Sequence, residues 1–285
     1  MTGRPVQTGP AAMETSWPAR VGCEPPTGVV GALAALAPLV AVAGLGLGVA
    51  AVSEPCPRPA GPAEAAAAAS MPPRRRLEFL AGRRAARRAL RAVGLECGEI
   101  PRSGRLPVFP PGRAASISHS AGIAVAVARA PGREVPLGCD LELRPLPRAA
   151  ARLFLRADEE ALLADEDAPA DAGEEPQTPS GDGARWSVTE LFSAKEAAWK
   201  ALDVPEGGRR TGPAGSLRDL RACPSGDVLR VCPRADPDRA VRVRGVRSER
   251  GCSATWPAGL NRRLPPPARR GRRRDGSAPR RAVVR

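Results

Sequence analysis

Apolar residues crowd the chain early: "VVGALAALAPLVAVAGLGLGVAAV", Val29 to Val52, runs 24 residues without a charge. That length could cross a bilayer. Pro38 and the glycines at 31, 44, 46 and 48 interrupt it, however, and most of its side chains are Ala or Gly. In "LVAVAGLGLGV" larger and smaller residues alternate, as in a buried strand, so the run predicts a helix followed by a strand, or a strand pair, in a soluble core. A membrane anchor is the competing reading. A secretory signal fits poorly, because residues 1–28 are a mixed, Pro- and Gly-rich extension that predicts disorder.

After a Pro/Ala linker the period changes. "PPRRRLEFLAGRRAARRALRAVG", Pro72 to Gly94, reads as a helix: Pro73 lies near its start, Leu77, Leu80, Leu90 and Val93 supply apolar positions, and Gly94 ends it. Arg83, Arg87 and Arg91 fall at i, i+4 and i+8 and share a face. "GRLPVFPPG" is a turn-rich loop, and "ISHSAGIAVAVARA" passes from a polar turn into an apolar strand. "REVPLGCDLEL" predicts a second strand, followed by a helix from about Pro147 to Leu163. The acidic stretch "ADEDAPADAGEEPQTPSGDGA" has no period and reads as a loop. In "RWSVTELFSAKEAAWKAL", Ser187 and Glu190 form a capping-box pattern that opens a helix to about Leu202. "DVLRVCP" and "AVRVRGV" are weak strands. Beyond Arg247 no closing strand is predicted.

Charge is unevenly spread. The chain carries 44 Lys and Arg against 30 Asp and Glu, a net +14. From Arg242 onward 14 arginines face only Glu249 and Asp275, a net +12, which leaves 30 cations against 28 carboxylates in the other 241 residues. The body is therefore near neutral, and the basic tail reads as a solvated arm or as a contact for nucleic acid or acidic partners. Scarce aromatics argue against a base-stacking platform. The seven cysteines include no CxxC pair, so no zinc site or disulfide framework is predicted, and a reducing cytoplasm is expected.

Against that arginine background the two lysines, Lys195 and Lys200, stand out, as does the one histidine, His119. Lys200 lies four residues after Glu196 and shares its helical face, while Lys195 sits about 100° away. On a strand, Asp140 and Glu142 of "GCDLE" point the same way and repel unless a cation or proton joins them. Such carboxylates with nearby ammonium groups suit Mg²⁺ holding a phosphate, whereas separately each is also an ordinary solvated pair. Ser116, Ser118 and His119 in the polar turn could touch a phosphate or ribose, or could be structural. The arginine face could grip a phosphate bidentately, or simply be solvated.

Taken in order, "RRRLEFLAGRRAARRAL", "SISHS", "GCDLE" and "FSAKEAAWKAL" resemble the 4′-phosphopantetheinyl transferases, of the larger monomeric kind like the enterobactin-synthase and surfactin-type enzymes. The resemblance covers roughly residues 30–245. It implies an α/β fold of the α+β kind: a pseudo-twofold pair of similar subdomains, here 29–135 and 136–245, with the active site in the cleft between them. An extension (1–28), the acidic loop (164–184) and a basic tail (246–285) complete the organisation. The activity implied is transfer of the phosphopantetheine arm of coenzyme A to a serine of an apo acyl or peptidyl carrier protein, as in siderophore or polyketide biosynthesis, releasing 3′,5′-ADP. The resemblance also implies Mg²⁺ on Asp140, Glu142 and Glu196, and catalysis by Glu196 and Lys200. Coenzyme A contacts fall to Arg83, Arg105, Ser118, His119, Lys195 and Lys200. No specific nucleic acid and no membrane partner is expected, and no GxxxxGK[ST] loop supports a different phosphotransferase class.

Overall fold

Breaks in the long uncharged run decide how it folds. In the computed structural model it becomes two short helices, α1 (Val29–Ala34) and α2 (Ala37–Val42), then strand β1 (Leu45–Ala51). Pro38 takes the first turn of α2, where its missing N–H costs nothing. The structure describes residues 28–55, 58–132, 137–164, 186–202, 205–206, 209–210, 215–247 and 253–261. Among them no helix is long and apolar enough to cross a membrane. The N-terminal extension before Gly28, the acidic loop from 165 to 185 and the tail after Asn261 lie outside the described residues.

Helix α3 (Pro62–Ala69) and the 20-residue helix α4 (Pro73–Ala92) follow, then a small hairpin, β2 (Arg102–Ser103) and β3 (Leu106–Pro107). Strands β4 (Ala115–Ser120) and β5 (Ile123–Arg129) complete an antiparallel sheet of order β1-β5-β4. Small residues explain how closely α4 lies on it. A Cβ on Gly48 would sit 2.0 Å from the Ala85 carbonyl oxygen, and one on Gly46 2.4 Å from that of Ala89. Ala81, Ala85, Ala86 and Ala89 are buried on the facing side of the helix. The many Ala and Gly here are therefore a packing device.

The polar turn expected at "SISHS" is instead strand β4, paired with β5 from Ala115↔Ala128 to Ser120↔Ile123. The turn comes one step later, at Ala121–Gly122, where both residues have positive φ (47° and 80°), as a two-residue hairpin requires.

Strand β6 (Asp140–Glu142) starts the second half. The helix expected from Pro147 to Leu163 is two separate 3₁₀ turns, Arg148–Leu153 and Ala157–Leu162. Phe154 leaves helical geometry (φ −136°), and Arg156 restarts the chain as a new N-cap with Glu159 reaching back to its N–H. Helix α5 (Val188–Leu202) opens on the expected capping box: Glu190 accepts from the Ser187 N–H at 2.8 Å, and Ser187 Oγ accepts from the Glu190 N–H at 3.2 Å. After the hairpin of β7 (Pro205–Glu206) and β8 (Arg209–Arg210) come β9 (Leu220–Ser225), β10 (Val228–Pro233), β11 (Ala240–Arg247) and β12 (Ser253–Asn261).

Strand β12 lies where the sequence predicts no element. Pro257 and Gly259 spoil its pattern, and a register shift at Arg242/Val243 absorbs the irregularity. It sits between β11 and β6, giving an antiparallel sheet of order β6-β12-β11-β10-β9. Helix α5 packs across this sheet over Leu220, Ala222, Leu229, Val231, Val241 and Val243. The chain is thus an α+β protein whose two larger sheets each carry a long helix. A third cluster joins the halves: Val40, Val125 and Val127 meet Leu141 and Trp256 beneath α1 and α2.

Candidate active site

Gly138 brings the acidic strand to the lysine helix. A Cβ there would lie 1.9 Å from the Ala197 carbonyl oxygen and 2.9 Å from the Ala201 nitrogen, so only glycine lets the chain entering β6 run flush along α5. Lys200 emerges beside this contact. Its ammonium donates to the Cys139 carbonyl at 3.0 Å and to Asp140 Oδ1 at 2.8 Å, with Glu196 Oε2 3.9 Å away on the same helical face.

The neighbouring sheet supplies the other wall. Ser118 Oγ of β4 donates to Asp140 Oδ1 at 2.9 Å, and Ser120 Oγ reaches Glu142 Oε2 at 3.4 Å. Asp140 is 4% exposed, and its second oxygen, Oδ2, is buried without a hydrogen-bond partner. Burial, and then the Asp140 charge, push Glu142 up to about 7. Burial also raises Glu196, against the opposing pull of Lys200. Lys200 itself is held above the ordinary lysine range: burial disfavours its charge, but Asp140 and Glu196 more than offset that. The gap between β4, β6 and α5 is therefore an acid cluster short of positive charge.

Among the described residues no group of three or more His, Cys, Asp or Glu side chains is gathered closely enough to hold a metal ion. The donors nevertheless fit a hard divalent cation in kind, because Asp140, Glu142 and Glu196 offer carboxylate oxygens and one of these is buried and unpartnered. Here the Lys200 ammonium stands between Asp140 and Glu196.

Not all of the expected contacts gather here. Lys195 is fully buried in the core of the second half, where it donates to Glu159 Oε2 and the Phe154 carbonyl at 2.8 Å, and to the Leu220 carbonyl at 3.1 Å. It cannot touch a ligand in the gap, and the roughly 140° between the two lysines around the helix is the reason. Ser118 and His119 point to opposite sides of β4, as neighbours on a strand must. His119 instead meets α4, with Arg75 Nη1 2.9 Å from its Nε2, and burial pulls its pKa below the ordinary imidazole value. Arg83 is 6% exposed, donates to the Ile100 carbonyl at 2.8 Å and lies over the Phe79 ring. Burial pulls that guanidinium down to about 10. Arg87 and Arg91 bind Glu64 and Glu96, so the shared arginine face of α4 grips the 94–101 segment and α3. Arg105 is exposed at the β2–β3 turn.

Sequence reasoning missed Ser120, Gly138 and Glu159. The period-two serines of "SISHS" could have shown that Ser116, Ser118 and Ser120 share one face. Gly138 could have been read as a close approach. Glu159, which holds Lys195, carries no signal in the sequence.

Residues 63–129 match the family model of the 4′-phosphopantetheinyl transferase N-terminal domain. No curated protein matches the chain. The transferase match runs from α3 to the end of β5 and so includes Arg83, Arg105, Ser118 and His119. Asp140, Glu142, Lys195, Glu196 and Lys200 lie beyond it.

Proposed function

We propose that the protein transfers the 4′-phosphopantetheine arm of coenzyme A to a serine hydroxyl of an apo carrier protein, with Mg²⁺ as cofactor and 3′,5′-ADP as the second product. One observation carries this reading. Directly beside the segment similar to the transferase N-terminal domain, Asp140 and Glu196 meet across Lys200, from a strand and a helix far apart in sequence.

The chemistry follows from charge. The carrier serine oxygen attacks the β-phosphorus, the bond from that phosphorus to the 3′,5′-ADP oxygen breaks, and the serine proton must go to a base. Glu196 is that base: burial raises its pKa and so makes it a stronger proton acceptor than an ordinary glutamate. Lys200 neutralises charge growing on the phosphoryl oxygens, and its contacts with Asp140 and the Cys139 carbonyl fix its position beforehand. Mg²⁺, held by Asp140, Glu142 and Glu196, would add positive charge at the pyrophosphate. Catalysis is then mostly positioning and electrostatics. The enterobactin-synthase or surfactin-type subgroup, the pseudo-twofold relation of the two halves, and a monomeric, cytoplasmic enzyme belong to the same reading.

Mass spectrometry of an apo carrier incubated with the protein, Mg²⁺ and coenzyme A tests it. The carrier should gain the mass of the arm, and Asp140→Ala or Glu196→Ala should abolish the gain without unfolding the protein. Full transfer by either variant would refute the assignment.

A further inference from the structure

Strands β4 and β6 belong to different sheets, yet they are stitched together through side chains. Ser116, Ser118 and Ser120 alternate along β4 and all face β6. The residues between them face the other way: Ile117 lies over Gly82 of α4 and His119 meets Arg75. The three hydroxyls differ in what they hold. Ser116 Oγ accepts from the Cys139 N–H at 3.1 Å. Ser118 Oγ donates to Asp140 Oδ1, which the Lys200 ammonium also binds, so that Oδ2 is the oxygen left over. Ser120 Oγ accepts from the Leu143 N–H at 3.1 Å and has its single proton left for Glu142 Oε2, at 3.4 Å.

A hydroxyl anchored by a backbone N–H and donating to a carboxylate restricts where that carboxylate can reach. Resting on the reading above, we propose that Ser120 is a positioning residue: anchored to β6 at Leu143, it aims Glu142 at the cation that the acid cluster receives. The Ser116 hydroxyl accepts from the Cys139 N–H and its backbone carbonyl from the Cys139 thiol, so it fastens the strands without orienting an acid. The ladder therefore contains its own control. Groups that orient a metal-binding carboxylate are worth about 10- to 100-fold in metal affinity when removed.

The test is calorimetric titration of the full chain with MgCl₂, without carrier or coenzyme A, alongside thermal unfolding. Ser120→Ala should weaken Mg²⁺ binding about tenfold, and Ser120→Thr, which keeps the hydroxyl, should restore it. Ser116→Ala should lower the unfolding midpoint and leave Mg²⁺ affinity at the wild-type value. If Ser120→Ala does not fold, Ser120→Cys serves as the second removal variant. The proposal fails if removing the Ser120 hydroxyl leaves Mg²⁺ affinity unchanged, or if Ser116→Ala weakens it equally. A wild-type chain that takes up no Mg²⁺ would instead overturn the metal-dependent reading beneath it, and the ladder's role with it.

Discussion

Glu54 and Glu142 each lie at the end of a strand that packs against the long helix of its half, and they have opposite fates. Glu54, just after β1, meets Arg84 at 2.6 Å and Arg88 at 2.7 Å. Burial raises its pKa, but hydrogen bonds from Arg88 and Arg84 more than cancel that and hold the carboxyl down to about 2. Glu142, at the end of β6, has burial and then the repulsion of Asp140 set against one hydroxyl, and rises to about 7. The same contrast runs through both helices. Each of the eight arginines of α4 has a partner within the protein, whether a carboxylate, a carbonyl or the His119 ring. On α5 one lysine is equally settled in the core, and the other sits among acids that outnumber it. Neutralised charge holds the first half together. Uncompensated acid charge collects in the second half, around Lys200.

The largest effect should come from breaking the settled member of the second half. Lys195→Ala leaves Glu159 buried with only Arg234 as a close cation, and should cost about 3–5 kcal/mol in denaturant unfolding. Next is the glycine contact on each helix. Gly138→Ala pushes β6 off α5 and should slow arm transfer roughly a hundredfold. Gly48→Ala, the equivalent insult under α4, should lower the unfolding midpoint with a smaller loss of transfer.

The two glutamates should give opposite pH responses in metal-free protein. With its folded pKa raised, Glu142 is most compatible with folding below its ordinary 4.5, so the unfolding midpoint should fall as pH rises from 4.5 to about 7. Glu142→Gln should flatten that decline. With its folded pKa lowered, Glu54 contributes stability above 4.5 that is lost as pH falls toward 2, and Glu54→Gln should remove that acid-side loss. Thermal scans across pH would read both. The smallest effect is local: Ala121 holds positive φ in the β4–β5 turn, so Ala121→Asn, giving Asn-Gly, should stabilise by about 0.5–1 kcal/mol.

Much of the site was legible because its parts obey short-range rules. The capping box, the i, i+4 spacing of Glu196 and Lys200, and the alternation of Asp140 and Glu142 are geometric consequences of helix and strand periods. The misreadings depend on distant partners. "SISHS" looked like a turn because its polar side chains are buried against another strand's acids and amides, which no local pattern records. "PRAAARLFLRADEEALL" looked like one helix because its break at Phe154 is tied to Lys195, which takes that carbonyl from 41 residues away. Lys195 looked like a ligand contact because the sequence shows rarity and not direction.

Strand order in the second sheet also sets a schedule. Of the segment carrying Asp140 and Glu142, the backbone partner is the last strand among the described residues, at Ser253–Thr255. During synthesis the first sheet and its helix can therefore assemble while the ribosome still has more than a hundred codons to read. A product cut short before β12 would keep a finished first half, and its acidic strand would keep the serine contacts of β4 but lose the strand that pairs with its backbone.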